Sequence, residues 1–578
     1  MASFGRRWFF LPFLAWTSIG LVSLAAEPLE RTGAETGTAE KIYVGGTILT
    51  VDDSQPRAEA VAVAKGRIVA VGTRADVLAR RGETTEVVDL AGRTLVPGFI
   101  DGHSHFFSLI DVQTQALCAS PPAGPCRSVA DVIAALEQTK KRRKIGPGEF
   151  VMGFGCDPDL LAEKRFPTKA ELDRAFPDNP VFIVHVSGHG AKLNSKALAA
   201  YDVTAATPTP VGGVIGREAG TQQPDGLLFE TAFMPIFAKL PSPGDDELLA
   251  ILESGQDLYL RAGITTAQEG ATMKHQLDLL RVFADRGGLK LDLVALPFIT
   301  EIDAVFAGKP PANEPDYRNR LRIGGVKIVT DGSPQGKTAA FTTPYLTDGP
   351  AGQKGWRGEL SFPQAQINDW VKQVYDGGAT LFVHCNGDAA IDSLLEAHRF
   401  ASAGDPTKPR GTVGIHSQFI RRDQLEKYAA WHITPSFFTL HCFYFGDTHV
   451  ANRGAEQAAP ISPMKSALAL GLHPANHTDF NVSPLDQLFT IHTAVNRQTR
   501  SGVILGEAER IGPLEALRAI TLDGARMYGE ENQKGSIERG KLADLVILSA
   551  DPTAVPATEI ETIEVLETIK EGKTVFKK

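Results

Sequence analysis

Eight short apolar runs, each breaking into a polar or glycine-rich loop, constrain this chain more than any other feature. They are residues Leu95 to Ile100, Gly263 to Ala267, Leu291 to Leu296, Leu321 to Val329, Thr380 to Val383, Thr412 to Ile415, Ile433 to Leu440 and Leu472 to Ala475. Between them lie stretches with apolar side chains at helical spacing, such as Phe362 to Tyr375 and Ala389 to Phe400. Eight strands alternating with helices predict an α/β protein built on a distorted (β/α)8 barrel. Such a barrel presents the C-terminal ends of its strands to the loops that build an active site.

Residues able to bind a metal fall at those ends. The first run closes in His103-Ser104-His105, and if the strand continues, alternation lets both histidines face one ion. Lys327 lies in the fourth run before Asp331-Gly332-Ser333. His384 ends the fifth, His416 ends the sixth, and Asp479 follows the eighth in Asn476-His477-Thr478-Asp479. Each alone reads as a hydrogen-bonded residue at a barrel mouth, and Lys327 as a lysine paired with Asp331. Six at the same end of one barrel point to a metal-dependent hydrolase.

Longer motifs carry a resemblance. Pro97-Gly98-Phe99-Ile100-Asp101-Gly102-His103-Ser104-His105, Phe166-Pro167-Thr168 with Gly188-His189 and Asn194-Ser195, and Val326-Lys327 before Asp331-Gly332-Ser333 are three of them. His384 with Gly387-Asp388, His416-Ser417-Gln418 and the tail Gly535 to Leu548 complete the set. From about residue 40 onward the chain resembles the amidohydrolase superfamily, and within it the YtcJ-like branch that includes N-substituted formamide deformylases. Cys385-Asn386 and His477-Thr478 depart from the family's pattern at positions that bear on the substrate more than on the metal.

The resemblance implies a binuclear site, with His103, His105 and Asp479 on one divalent ion, His384 and His416 on a second, and both ions zinc. Lys327 would bridge them as a carbamate formed with carbon dioxide, because an ammonium cannot ligate a cation. Water activated as hydroxide would attack a scissile carbonyl, with Asp479 as general base and then general acid. His189 is the candidate for polarising that carbonyl. The expected reaction is hydrolysis of a carbon-nitrogen bond in a small-molecule amide. A lactonase or esterase would use the same hydroxide, a mononuclear deaminase is a further alternative, and a non-catalytic metal-binding protein is the reading from another class.

Of the other histidines, His275, His398 and His492 read as surface or packing residues of helices, and His441, His449, His473 and His477 as residues near the barrel mouth. Phe106, Phe107, Phe437, Phe438, Phe443, Tyr444 and Phe445 lie close to the ligand-bearing segments and predict a substrate with an aromatic or long aliphatic group.

The 578 residues exceed one ordinary core and suit a barrel with additional domains. With 43% hydrophobic and 22% charged residues the chain reads as globular, and its net charge of -9 gives no general attraction to nucleic acid or anionic membranes. The one basic run, Lys140 to Lys144, reads as the solvated end of a helix starting near Ser128. Residues 1–26, with Arg6-Arg7 before an uncharged stretch and small residues near Ala25, read as a signal peptide for a periplasmic or secreted protein. The twin-arginine route is one option, and an uncleaved membrane anchor the alternative.

Residues 27–40 read as a disordered leader. Residues 41–95 and 534–578 share a strand-rich pattern and are expected to pair into a small β-sandwich flanking the barrel of residues 96–533. Residues 106–260 are too long for a structureless loop and predict an insertion subdomain over the mouth. The odd set of five cysteines permits a Cys118–Cys126 bridge in an oxidising compartment, while Cys385 reads as a buried thiol. The sequence leaves assembly into a homo-oligomer open.

Overall fold

The computed structural model describes residues 38–578. The predicted signal segment and most of the predicted leader lie outside the described residues. The leader's expected end at residue 40 is corrected: the strand Ala39–Leu49 already includes Ala39, whose carbonyl accepts the Thr85 hydroxyl at 2.5 Å.

The parallel strands form two arcs. One contains Phe99–Ile100, Ile264–Thr272, Asp292–Pro297 and Leu321–Ile323; the other contains Val326–Val329, Leu381–Cys385, Thr412–His416, Ile433–Phe437 and Ala475–Asn476. The run predicted as one strand from Leu321 to Val329 is thus two, broken at Gly324-Gly325. A Cβ at Gly324 would stand 2.3 Å from Val294, and one at Gly325 would stand 2.6 Å from Phe382 and the Thr380 carbonyl, so only glycine passes this crowded corner. A parallel bridge between Phe298 and Lys327 links the arcs on one side. On the other, the Asp479 N–H donates to the His103 carbonyl at 2.9 Å. The result is a TIM-barrel-like α/β fold.

Helices cover the outside where the spacing predicts them. Gln364–Gly377 buries Ile367, Val371 and Val374, and Asp388–Ala401 buries Ile391, Leu394 and Leu395 against the barrel strands. Gly378, in the left-handed region at φ 80°, ends the first of these helices.

The two ends of the chain meet in one eight-stranded mixed sheet, joined where Leu545–Leu548 runs antiparallel to Thr94–Pro97. Val61, Val63, Leu545 and Ile547 line one apolar cluster of this sheet, and Ile42, Val44, Ala60 and Val77 another. A buried ion cluster ties it to the barrel. Asp292, on a barrel strand, accepts Lys534 and Lys570 at 2.6 Å each and Arg320 at 3.1 Å, and Lys570 also reaches Asp544 at 2.7 Å.

Within residues 106–260, six strands from Ala116–Leu117 to Pro224–Glu230 make a separate sheet. The helix Val129–Arg143 packs on it through Val132 and Leu136, with Ser128 as its cap and the basic run at its C-terminal end, where it complements the helix dipole. All five cysteines are free and buried. The permitted Cys118–Cys126 bridge is absent because the thiols point to different carbonyls, those of Ala116 and Leu117. Among the described residues, no helix is long and apolar enough to cross a membrane.

Candidate metal centre

The seven predicted site residues converge. His103 and His105 do not sit within a strand as the alternation argument required, because the strand ends at Ile100 and both follow it in an irregular segment. That segment is clamped by Asp101, whose carboxylate accepts the Thr478 N–H at 2.9 Å and the Thr478 hydroxyl at 2.5 Å. One aspartate therefore fixes the His-x-His segment to the chain that delivers Asp479. Both His103 Nε2 and His105 Nε2 lie 3.5 Å from Asp479 Oδ1. The donor atoms of these three residues all fall within 4.8 Å of one another.

The neighbours of these groups decide their proton states. Gln268 donates its amide N–H groups to Tyr528 and to the Gly102 carbonyl, so its Oε1 faces His103 Nδ1 at 2.5 Å as an acceptor. His103 then carries its proton on Nδ1 and presents a lone pair on Nε2 to the centre. Burial, then the neighbouring Lys327, drives the His103 pKa well below its ordinary value. Burial would raise the Asp479 carboxyl, but the hydrogen bond and charge of His105, with His477 and Lys327, outweigh it and keep the group below the usual range. A neutral imidazole facing an ionised carboxylate is a donor set that suits a divalent cation.

Lys327 is buried with Nζ 3.2 Å from His103 Nε2, and no carboxylate lies within ion-pair distance of it among the described residues. The pairing with Asp331 is therefore excluded. The Asp331 carboxylate instead accepts the backbone N–H groups of Ala340, Asn386 and Gly387 at 2.8 to 2.9 Å and holds the loop after His384. Burial, only partly offset by Asp479, pulls the Lys327 pKa down to about 7, which exposes the reactive amine.

His384 Nδ1 and His416 Nε2 face each other at 3.1 Å, an approach that suits two donors on one cation, and His416 Nε2 lies 3.8 Å from Asp479 Oδ2. Burial holds both rings well below their ordinary pKa. His477, read as a residue near the barrel mouth, stands behind His416. Its Nε2 meets His416 Nδ1 at 3.0 Å, and its Nδ1 meets the Ser436 hydroxyl at 2.9 Å. His441 and His449 pair with each other at 3.0 Å in the interior. His473 is corrected: it precedes the Ala475–Asn476 strand, at the end away from the ligands, and lies beside Asp523 and Arg526.

His189 comes from the insertion. Its ring centroid is 4.8 Å from that of His384, and its Nδ1 is 3.0 Å from Glu230 Oε2. Burial alone would lower its pKa, but the Glu230 carboxylate outweighs burial and raises it. Sequence reasoning missed Glu230, which ends an insertion strand and carries no local motif. It also missed Gln268 and Glu269, within the strand Ile264–Thr272, although they directly follow the apolar run Gly263 to Ala267 as His384 follows its own run. The aromatic set divides. Phe106, Phe107 and Phe437 belong to the barrel core, whereas Phe438, Phe443, Tyr444 and Phe445 pack with Val186 and Phe489 beside the centre.

Residues 86–576 match the model of the amidohydrolase family. The chain is 28% identical over 549 residues to an N-substituted formamide deformylase from Arthrobacter pascens, covering 93% of this chain and 98% of that protein. It is 26% identical over 563 residues to the putative amidohydrolase YtcJ of Bacillus subtilis, covering 93% and 99%. Among solved structures, an uncharacterized metal-dependent hydrolase from Pyrococcus horikoshii shares the fold with a TM-score of 0.69 at 22% identity, over 89% of this chain and 99% of that one. With the converging donors already described, these matches identify the chain as a member of the amidohydrolase family, in its YtcJ-like branch, and as a metal-dependent hydrolase.

Proposed function

We propose that this chain hydrolyses the carbon-nitrogen bond of a small-molecule amide. The observation that carries this reading is the contact of an ionised Asp479 with His103, His105 and His416, opposite a His189–Glu230 pair. His103, His105 and Asp479 would hold one divalent cation, and His384 and His416 a second, with zinc the expected metal for this nitrogen-rich set. When bound, such cations lower the pKa of water and polarise a carbonyl.

The chain's own groups supply the rest. Asp479 accepts the proton of the attacking water as the new carbon-oxygen bond forms, then returns it to the amine nitrogen as the carbon-nitrogen bond breaks. His189 donates a hydrogen bond to the carbonyl oxygen as negative charge develops there, and Glu230 keeps its ring oriented and protonated. Attack of the neutral Lys327 amine on carbon dioxide would form a nitrogen-carbon bond and release one proton, leaving a carbamate anion that could serve as a further ligand to the cations. The formamide acted on by the Arthrobacter pascens relative supports an amide substrate. Zinc-reconstituted protein assayed on an N-substituted formamide and on its isosteric formate ester tests this reading. Faster turnover of the amide is expected, and hydrolysis of the ester alone would replace the amidase with an esterase.

A further inference from the structure

Beside the metal centre a cavity of about 150 Å³ opens between the two segments that deliver catalytic groups. One wall contains Val186, three residues before His189, and the other contains Phe480 to Ser483, directly after Asp479. Leu117, Phe154, Tyr444 and Phe445 make the lining apolar, and a space of this size takes about one aromatic ring. Arg500 also lines it.

Half-buried Arg500 differs from the buried Arg497 and Arg322 in having no carbonyl or carboxylate on its guanidinium among the described residues, although the Arg322 Nε is likewise unpaired. Arg497 satisfies its guanidinium with the carbonyls of Leu505, Ser462, Ala459 and Ile461, and Arg322 pairs with Glu530 at 2.6 Å. Arg500 has rings on its faces, with Tyr444 at 5.2 Å and Phe443 at 5.9 Å, and its buried Nε has no hydrogen-bond partner. No carboxylate among the described residues stands within ion-pair distance of it. Asp157 lines the same cavity, but its Oδ1 accepts the Asp159 N–H at 3.0 Å, and burial, with the nearby Asp159, pushes its carboxyl up to about 7, so it is a weak counter-charge at neutral pH. A planar cation, stacked and lacking a partner, is a preorganised fork for a carboxylate.

We propose that this cavity is the substrate's side-chain subsite and that Arg500 binds a carboxylate on the same group, so that the preferred amides are N-acyl derivatives of aromatic or apolar amino acids. This rests on the amidase reading for the reaction, and on the cavity and the unpaired guanidinium for the ligand.

The test uses the full metal-loaded chain and two probes of matched shape, 3-phenylpropanoate and 3-phenylpropanol, with binding measured by calorimetry. The acid is expected to bind at least about tenfold more tightly, the scale of one charge-assisted pair. Arg500→Met should remove that preference, while Arg500→Lys, which keeps the charge but not the fork, should retain part of it. Equal affinity for the two probes, or an unchanged preference in Arg500→Met, would overturn the proposal. Thermal melting checks that each variant is folded; if Arg500→Met does not fold, Arg500→Lys decides, and equal losses for acid and alcohol would count against the subsite.

Kinetics on N-formylphenylalanine and N-formylphenethylamine then separate the two readings. Acid-selective binding without hydrolysis of either amide would leave the subsite standing and remove the amidase. Hydrolysis of both without a preference for the carboxylate would do the reverse.

Discussion

Glu230 and Lys327 show how far single residues determine this centre. Glu230 raises the pKa of His189, so the protonated ring persists to higher pH and activity that needs it falls only as pH rises through the raised value. Glu230→Gln should keep the bound metal, lower kcat by about 10- to 100-fold and move the alkaline limb of the pH profile to lower pH. An unchanged profile would remove His189 from the chemistry. Lys327→Ala should lose metal and activity together, and a short carboxylic acid in solution should partly restore both. Lys327→Arg should fail, because it adds positive charge where an anionic bridge belongs. An unmodified amine in the electron density of active, metal-loaded enzyme would exclude the carbamate. The barrel histidines were legible because each ends or closely follows an apolar run, and His189 only through the resemblance. Glu230 was not, since only the fold of a separate sheet brings it to His189.

At the scale of elements, the strand pattern was readable wherever an apolar run met a polar loop. It failed at Gly324-Gly325, where the run continues in sequence but tertiary crowding breaks the strand. The irregular His103–His105 segment was equally hidden, because its conformation depends on Asp101 reaching Thr478 across the barrel. The pairing of the two chain ends was visible as repeated strand grammar, but the ion cluster that fastens them to the barrel was not. Burial pushes the Asp292 carboxyl up, and Lys534 and Lys570 more than reverse this. Its contribution to stability is therefore complete above the unfolded carboxylate value of about 4 and is lost as pH falls through the depressed folded value. Asp292→Asn should cost about 3 kcal/mol by removing the charge that Lys534 and Lys570 share, leaving Lys534 with Glu530 at 3.0 Å and Lys570 with Asp544 at 2.7 Å, and should flatten the acid limb of the unfolding curve. A denaturation midpoint within error of the parent would show that the cluster adds nothing. Gly332→Ala is a second test at this scale: its Cβ would stand 1.9 Å from Glu230 Oε1, so it should reduce kcat as Glu230→Gln does while the metal stays bound. Loss of metal in that variant would place the damage in the ligands instead.

The whole molecule brings one candidate site residue from an insertion and six from barrel segments to a single cluster, while a sheet built from both chain ends braces the barrel. Composition and periodicity indicated the barrel, and the resemblance supplied the roles. Neither showed the cavity at Arg500, which exists only where the insertion meets the segment after Asp479. The central claim is that the buried histidines, Asp479 and Lys327 hold divalent metal that amide hydrolysis requires. The direct measurement is metal content by mass spectrometry alongside amide turnover, for the protein as purified, after chelation and after zinc is returned. The expected result is about two ions per chain, set by the two donor groups, with turnover lost on chelation and restored by zinc. Full turnover by metal-free protein would contradict the account.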